Sequence, residues 1–416
     1  MRKLLKVLAY LFAAILIILI GVTAYFYYGF NNYSLEDNYT VNDENLNYFN
    51  DSYEHARQVF RTESNKLKQQ NPETAVFSIP VKSNIDTSLT IDFCFIPAKT
   101  QTDKLLILSS GVHGVEGYVG SAVQLFFMDK YLNTELLNET AVLLIHSVNP
   151  FGFKYSRRVT ENNIDLNRNS DIDLKLYQTK NEGYKKVYDL INPKGVVETE
   201  SMANKFFFAK AIKEIAKKTM PVLRQAILQG QYSFPEGLYY GGNNFEPQIK
   251  DLAPIIDTIC APYKTILAID LHTGYGARGK LHLFPNPVGE DLKKQMETIF
   301  KGFQIDWGDS GDFYTVTGDF VGYIGKINAG KTFVPMAFEY GTMDSQTTMG
   351  SLKSIHIMIV ENQGQQYGYA TKGDSIKVKK DIVEMYYPSS EAWRSNVIDQ
   401  TKKLFDSSLK QFNHLN

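Results

Sequence analysis

Hydrophobic and polar positions divide this chain into two regimes. Residues 7–28, VLAYLFAAILIILIGVTAYFYY, carry no charge, whereas the rest alternates between apolar runs and polar stretches. At about 1.5 Å per helical residue the apolar segment spans roughly 33 Å, close to the thickness of a bilayer core. Further on, SLTIDFCFIPA (88–98) sets Leu89, Ile91, Phe93 and Phe95 in alternation with Thr90, Asp92 and Cys94, which is strand periodicity. KLLILSS (104–110), AVLLIHSV (141–148), KTILAIDLH (264–272) and TFVPMAFEYG are apolar almost throughout, as strands covered on both faces are. Helix-like stretches lie between them: VGSAVQLFFMDKYL (119–132), SMANKFFFAKAIKEIAKK (201–218) and DLKKQMETIFKGF (291–303). Residues 48–69 and 350–416 also read as largely helical. Strands alternating with helices predict an α/β fold with a mostly parallel central sheet.

The same pattern sets the expected domains. Residues 1–30 form an N-terminal transmembrane signal-anchor and 31–75 a polar, helical juxtamembrane segment. Residues 76–416 form one α/β domain, in which 170–245, with its turn YYGGNN, is an insertion or lid. Arg2, Lys3 and Lys6 precede the apolar run, so the positive-inside rule leaves the domain across the membrane from the cytoplasm. Residues 7–28 then have the lipid bilayer as partner. Cleavage near Val22-Thr23-Ala24 is the competing reading and would give a secreted protein. Forty-four basic and 45 acidic side chains give a formal charge of −1, so no basic excess points to nucleic acid. Cys94 and Cys260 sit in apolar segments without a CxxC partner and read as small buried hydrophobes. Their spacing does not decide whether they pair.

In open α/β sheets, sites form beyond the carboxyl ends of strands. LLILSS is followed by GVHGVEG, carrying His113 and Glu116. LLIHSV is followed by NPFGFKYSRRVTENNIDLNRN, carrying Arg158, Asn167 and Arg168. KTILAID runs into His272, and VPMAF into Glu339. Two imidazoles and a carboxylate are the donor set of a catalytic zinc site that keeps one position open. Alone, His-x-x-Glu reads as a surface pair. The second histidine, at a distant strand end, changes that reading. The loop glycines allow sharp turning, with positive φ where needed. Glu339, a carboxylate closing an apolar strand, suits a general base, its bland alternative being a salt bridge to a loop arginine. Arg168 and Asn167 offer a donor fork for an anionic substrate end. Arg158 could stabilise an oxyanion, with Arg157 as its rival. Asp270 reads equally as a partner of His272 or as structural. His146 and His282 read as core histidines, and Tyr314 as a surface tyrosine, its alternative being closure over substrate.

In order, HGVE (113–116), NPFGF (149–153), NIDLNRN (163–169), DLHTG (270–274) and FEYGT (338–342) resemble the motifs of the zinc metallocarboxypeptidase (carboxypeptidase A-like) superfamily, in a bacterial branch of uncharacterised substrate. The resemblance covers about Leu105 to Thr342. It departs from the usual pattern in NPFG for NPDG and in the long stretch between Glu116 and His272. It implies a three-layer α/β/α fold with a mixed sheet of about eight strands. It also implies one Zn2+ per chain on His113, Glu116 and His272, with Glu339 as catalytic base and Arg158 as oxyanion arginine. Asn167 and Arg168 then clamp the free carboxylate of a peptide or amide substrate. The expected function is a membrane-anchored zinc carboxypeptidase. The alternatives are a deacylase of N-acyl amino acids or related amides, and a non-catalytic membrane-tethered binding module.

Overall fold

The fold is taken from a computed structural model that describes residues 2–132, 134, 138–307 and 316–415. Tyr314 lies outside the described residues. The strands are β1 (Ala75–Pro80), β2 (Thr90–Ile96), β3 (Lys104–Ser110), β4 (Ala141–His146), β5 (Thr265–Gly274), β6 (Leu281–Pro285) and β7 (Thr332–Gly341). They form one sheet in the order β1-β2-β4-β3-β5-β7-β6. The central β4, β3, β5 and β7 are parallel, and β1, β2 and β6 join antiparallel at the edges. The sheet is therefore mixed around a parallel core, and it has seven rather than eight strands among the described residues.

The longer helices are α1 (Arg2–Asn31), α2 (Tyr53–Gln70), α3 (Gly117–Tyr131), α4 (Phe207–Lys218), α5 (Met220–Leu228), α6 (Pro247–Cys260), α7 (Glu290–Ile299), α8 (Phe320–Ile327), α9 (Thr348–Tyr367), α10 (Lys372–Tyr386) and α11 (Glu391–Asn413). They cover both faces of the sheet, giving three α/β/α layers. On one face Leu271 approaches Gly120 of α3, and Phe338 packs 5.8 Å from Phe405 of α11. On the other face Phe333 packs against Gly325 of α8. This double cover is why Leu105 to Leu108 are all fully buried. Each such side chain contributes about 1.5–3 kcal/mol of hydrophobic stabilisation. The polar segment before the sheet is also packed down: Tyr53, Ala56 and Phe60 of α2 are buried, and Phe60 stacks on His146 at 4.6 Å. The stretch read as one helix over 201–218 breaks into Met202–Lys205 and α4, with Phe206 at the break.

α1 is the one described helix long and apolar enough to cross a membrane, its most apolar 18-residue stretch having a mean hydropathy of 2.7. Most of it projects exposed, but Phe30 near its end is 1% exposed. There the helix docks through Tyr27 on Phe206 (4.9 Å), Phe26 on Phe208 (6.3 Å) and Phe30 on Phe207 (6.1 Å). Both cysteines are free and buried.

Candidate metal centre and active site

The site starts where β3 ends. Gly111 takes a positive φ of 64°, and the chain then runs through His113 into a single 3-10 turn over Gly114–Glu116 that leads straight into α3. Gly114 and Gly117 do not use positive φ. Gly114 is small for another reason: a Cβ there would meet the backbone of Gly152 at 2.2 Å. The HGVE loop and the NPFG turn cross backbone to backbone. Gly114 N and Val115 N donate to the carbonyls of Arg158 and Arg157 at 3.0 and 2.9 Å. The Asn149 side chain holds the turn by accepting from Gly152 N at 2.9 Å. This crossing brings Arg158 beside the histidine loop.

β5 supplies Asp270 and His272 two residues apart, so both project from one sheet face. β7 runs beside it in a register that pairs His272 with Glu339. His113, Glu116 and His272 come together at the strand ends as a buried cluster whose ligand atoms all lie within 4.8 Å of one another. Glu116 Oε1 is 2.9 Å from His113 Nδ1, and Oε2 is 2.9 Å from His272 Nδ1. The His113 contact is not a hydrogen bond, and that buried nitrogen has no other partner. Two imidazole Nδ1 atoms and a carboxylate converging on one point, one nitrogen unsatisfied, fit a divalent cation of the zinc type.

The outer ring of the cluster is equally specific. His113 Nε2 lies 3.3 Å from Asp165 Oδ1 and 2.6 Å from Arg158 Nη2. His272 Nε2 lies 2.6 Å from Asp270 Oδ2, and Asp270 in turn accepts from Ser109 Oγ at 2.7 Å. A carboxylate behind each imidazole is how a ligating histidine is held in one tautomer and orientation. Of these, Asp270 was one of two even readings from the sequence. Asp165 was visible within NIDLNRN but was not singled out.

The electrostatics follow from this packing. Burial alone would raise the Glu116 carboxyl, but His113 and His272 outweigh it and hold it down at about 2. Burial opposes the His272 charge, and Asp270 and Glu116 overcome it, raising His272 well above its ordinary value. Burial raises Asp165, but Arg158 and then His113 lower it well below the carboxylate range. Glu339 goes the other way: burial first, then the Glu116 charge, push it up to about 8. Its Oε1 accepts from Tyr275 N at 2.8 Å. No ion pair reaches Glu339 among the described residues, so the salt-bridge alternative has no partner there.

Arg158 donates through Nε to Asp165 at 3.1 Å and approaches Glu116 and the Tyr386 hydroxyl through Nη1 at 3.5 and 3.4 Å. Arg157 points away, to Glu361 and Asn163, both at 3.1 Å. Arg168 is 1% exposed. It donates from Nε and Nη2 to Leu228 O, the last carbonyl of α5, at 3.1 and 2.5 Å, and from Nη1 to Asn167 O at 2.8 Å. Asn167 Oδ1 accepts from Phe320 N at 2.8 Å, leaving its NH2 group to donate. Tyr239 lies under both guanidinium groups, at 5.2 and 5.6 Å. Neither Tyr239 nor Tyr386 carried a signal in the sequence, because both reach the site from distant segments.

His146 and His282 are core histidines, the first against Ser121 Oγ at 3.1 Å, the second against Asp306 at 2.7 Å. One cavity of about 490 Å3 is lined by His113, Glu116, Arg158, Asn167, Arg168, His272 and Glu339 together. Every residue that the sequence marked as catalytic, substrate-binding or metal-ligating thus opens onto the same space.

Fold and site together define an α/β protein with a buried His–Glu–His constellation fit to hold a metal at the strand ends. The chain belongs to the family described as protein of unknown function (DUF2817), whose profile matches residues 49–400. A search of curated proteins finds no match. Among solved structures it is similar to bovine thrombin-activatable fibrinolysis inhibitor in complex with tick carboxypeptidase inhibitor (14% identity, 75% of this chain and 95% of that one, TM-score 0.41). It is also similar to carboxypeptidase A from Helicoverpa armigera (14%, 88% and 80%, TM-score 0.38). A third is the Pseudomonas aeruginosa metallo-carboxypeptidase in complex with (2-guanidinoethylmercapto)succinic acid (12%, 77% and 70%, TM-score 0.38). With scores this low the likeness carries no weight for function, which rests on the geometry above.

Proposed function

We propose that this chain is a membrane-anchored zinc-dependent hydrolase of the carboxypeptidase type, cleaving the amide bond next to a free carboxylate. The observation that carries the reading is the convergence of His113, Glu116 and His272 with Glu339 on one cavity. His113, Glu116 and His272 hold the zinc. When bound, the ion supplies a Lewis acid that polarises a carbonyl and lowers the pKa of water. Glu339 takes a proton from the attacking water and returns it to the leaving amine. Arg158, fixed by Asp165 and always charged, faces the charge that develops on the carbonyl oxygen. A guanidinium has five N–H donors, and three of those on Arg168 are engaged by main chain, so two remain for a carboxylate beside the Asn167 amide. α1 anchors the domain outside the cytoplasm, and residues 170–245 supply the α4–α5 wall as a lid over the cavity.

The test joins metal content to chemistry. Wild type and Glu339→Gln are assayed by elemental analysis and by mass spectrometry against a pooled peptide library. About one zinc in each, with single C-terminal residues lost only in the wild type, is the expected result. Zinc in both with peptides untouched but small N-acyl amino acids cleaved makes it a deacylase. Identical ligand binding by both with no turnover of any substrate leaves a binding module.

A further inference from the structure

The cavity has two ends of different chemistry. One holds the His–Glu–His cluster and the two arginines. Beyond these residues most lining side chains are aliphatic or aromatic, among them Phe207, Ala211 and Ile215 on α4 and Leu352 and Ile355 on α9. Ser351 and Ser354 on α9 and Arg224 on α5 interrupt this wall. It therefore offers few hydrogen bonds to a peptide backbone, whose buried N–H and C=O groups would be costly along its apolar part. About 490 Å3 is within the ~300–1,000 Å3 range of sites that enclose a small organic molecule.

The walls also have a second side. Phe207 lines the cavity, and its ring is 6.1 Å from Phe30, the last residue but one of α1. On α9, Leu352 and Ile355 line the cavity while Lys353 and His356 lie against the Phe30 ring at 5.1 and 5.2 Å. One layer of helices therefore separates the cavity from the place where the chain leaves its apolar segment. A substrate taken from the bilayer surface has only that layer to pass.

We propose that this cavity takes the hydrocarbon chain of a bilayer-resident amphiphile, an N-acylated peptide or amino acid with a free carboxylate, the carboxylate end at the arginines and the chain along α4 and α9. The proposal rests on the hydrolase reading for the bond that is cut and on α1 spanning the membrane for the route in. The hydrocarbon pocket itself rests on neither.

The experiment uses the full-length, zinc-loaded Glu339→Gln protein in phosphatidylcholine vesicles. The probes are N-acyl-Ala-Ala with acyl chains of 2, 8, 12 and 16 carbons. Binding is compared with that of the same protein carrying Ala211→Trp, which fills the cavity from α4. Partition into the bilayer is common to both and cancels. The expected loss of affinity grows with chain length, from none at acetyl to about tenfold or more at hexadecanoyl. An equal effect at every length overturns the pocket. Zinc content reports whether the variant is folded, and Ile215→Trp, one turn further on, provides a second block. Turnover by the wild type on the same series tests the hydrolase separately. Length-dependent binding without cleavage keeps the pocket and sinks the hydrolase, whereas cleavage at all lengths with equal binding effects does the reverse.

Discussion

His272 and Glu339 stand opposite each other in the parallel ladder of β5 and β7, on the sheet face that turns away from α3 and α11. The pairing sets a metal-ligand candidate beside an unpaired carboxyl that burial pushes up to about 8. In the metal-free chain Glu339 thus keeps a proton that the unfolded chain releases near 4.5. Between those values the native state binds more protons than the unfolded state, so stability falls as pH rises, by at most about 1.4 kcal/mol per unit. His272, raised above its ordinary value, acts in the same direction. Thermal unfolding of metal-free protein from pH 7 to 8, above the range in which burial of His146, His282 and His356 makes stability rise with pH, should show a falling Tm, with a shallower fall in Glu339→Gln. Equal slopes in the two proteins would remove Glu339 from this account.

Asp270 holds the far nitrogen of His272 and is itself held by Ser109. Asp270→Asn keeps the shape but loses the charge that fixes the tautomer. Zinc affinity, measured by competition with a chelating dye, should drop about 10–100-fold with the fold intact. An unchanged affinity would mean that Asp270 is structural.

Gly114 has no room for a methyl group, because Gly152 lies in its place. Gly114→Ala forces the HGVE loop off the NPFG turn. Denaturant unfolding should show a loss of about 1–3 kcal/mol, together with reduced zinc content. The site's own geometry is at stake: stability lost with full zinc retention would show that His113 tolerates the shift.

Arg168→Lys trades a planar fork for a point charge. For substrates with a free carboxylate, KM should rise roughly tenfold or more, about 1.4 kcal/mol, while C-terminally amidated analogues change little. Equal losses on both would place Arg168 in scaffolding through its bonds to Leu228 rather than in the clamp.

Much of this protein was legible along the chain. Period-2 alternation marked β2, and continuous apolar runs marked β3, β4, β5 and β7, because strands covered on both faces leave no polar side to write. His113 and Glu116 follow the β3 run and His272 and Glu339 close the β5 and β7 runs, because a parallel sheet delivers its strand ends to one edge. Arg158, Asn167 and Arg168 were instead read from the long segment after β4. The uncharged run of α1 was equally plain. Other features depend on contacts that no local pattern encodes. That Gly114 meets Gly152, that Asp165 backs His113, that Arg158 turns inward while Arg157 goes to Glu361, and that Phe30 lies behind the cavity wall were decided by packing between segments tens to hundreds of residues apart. Composition and periodicity fix which side chains face the core or the sheet edge. Which of those side chains touch is settled only when the layers close.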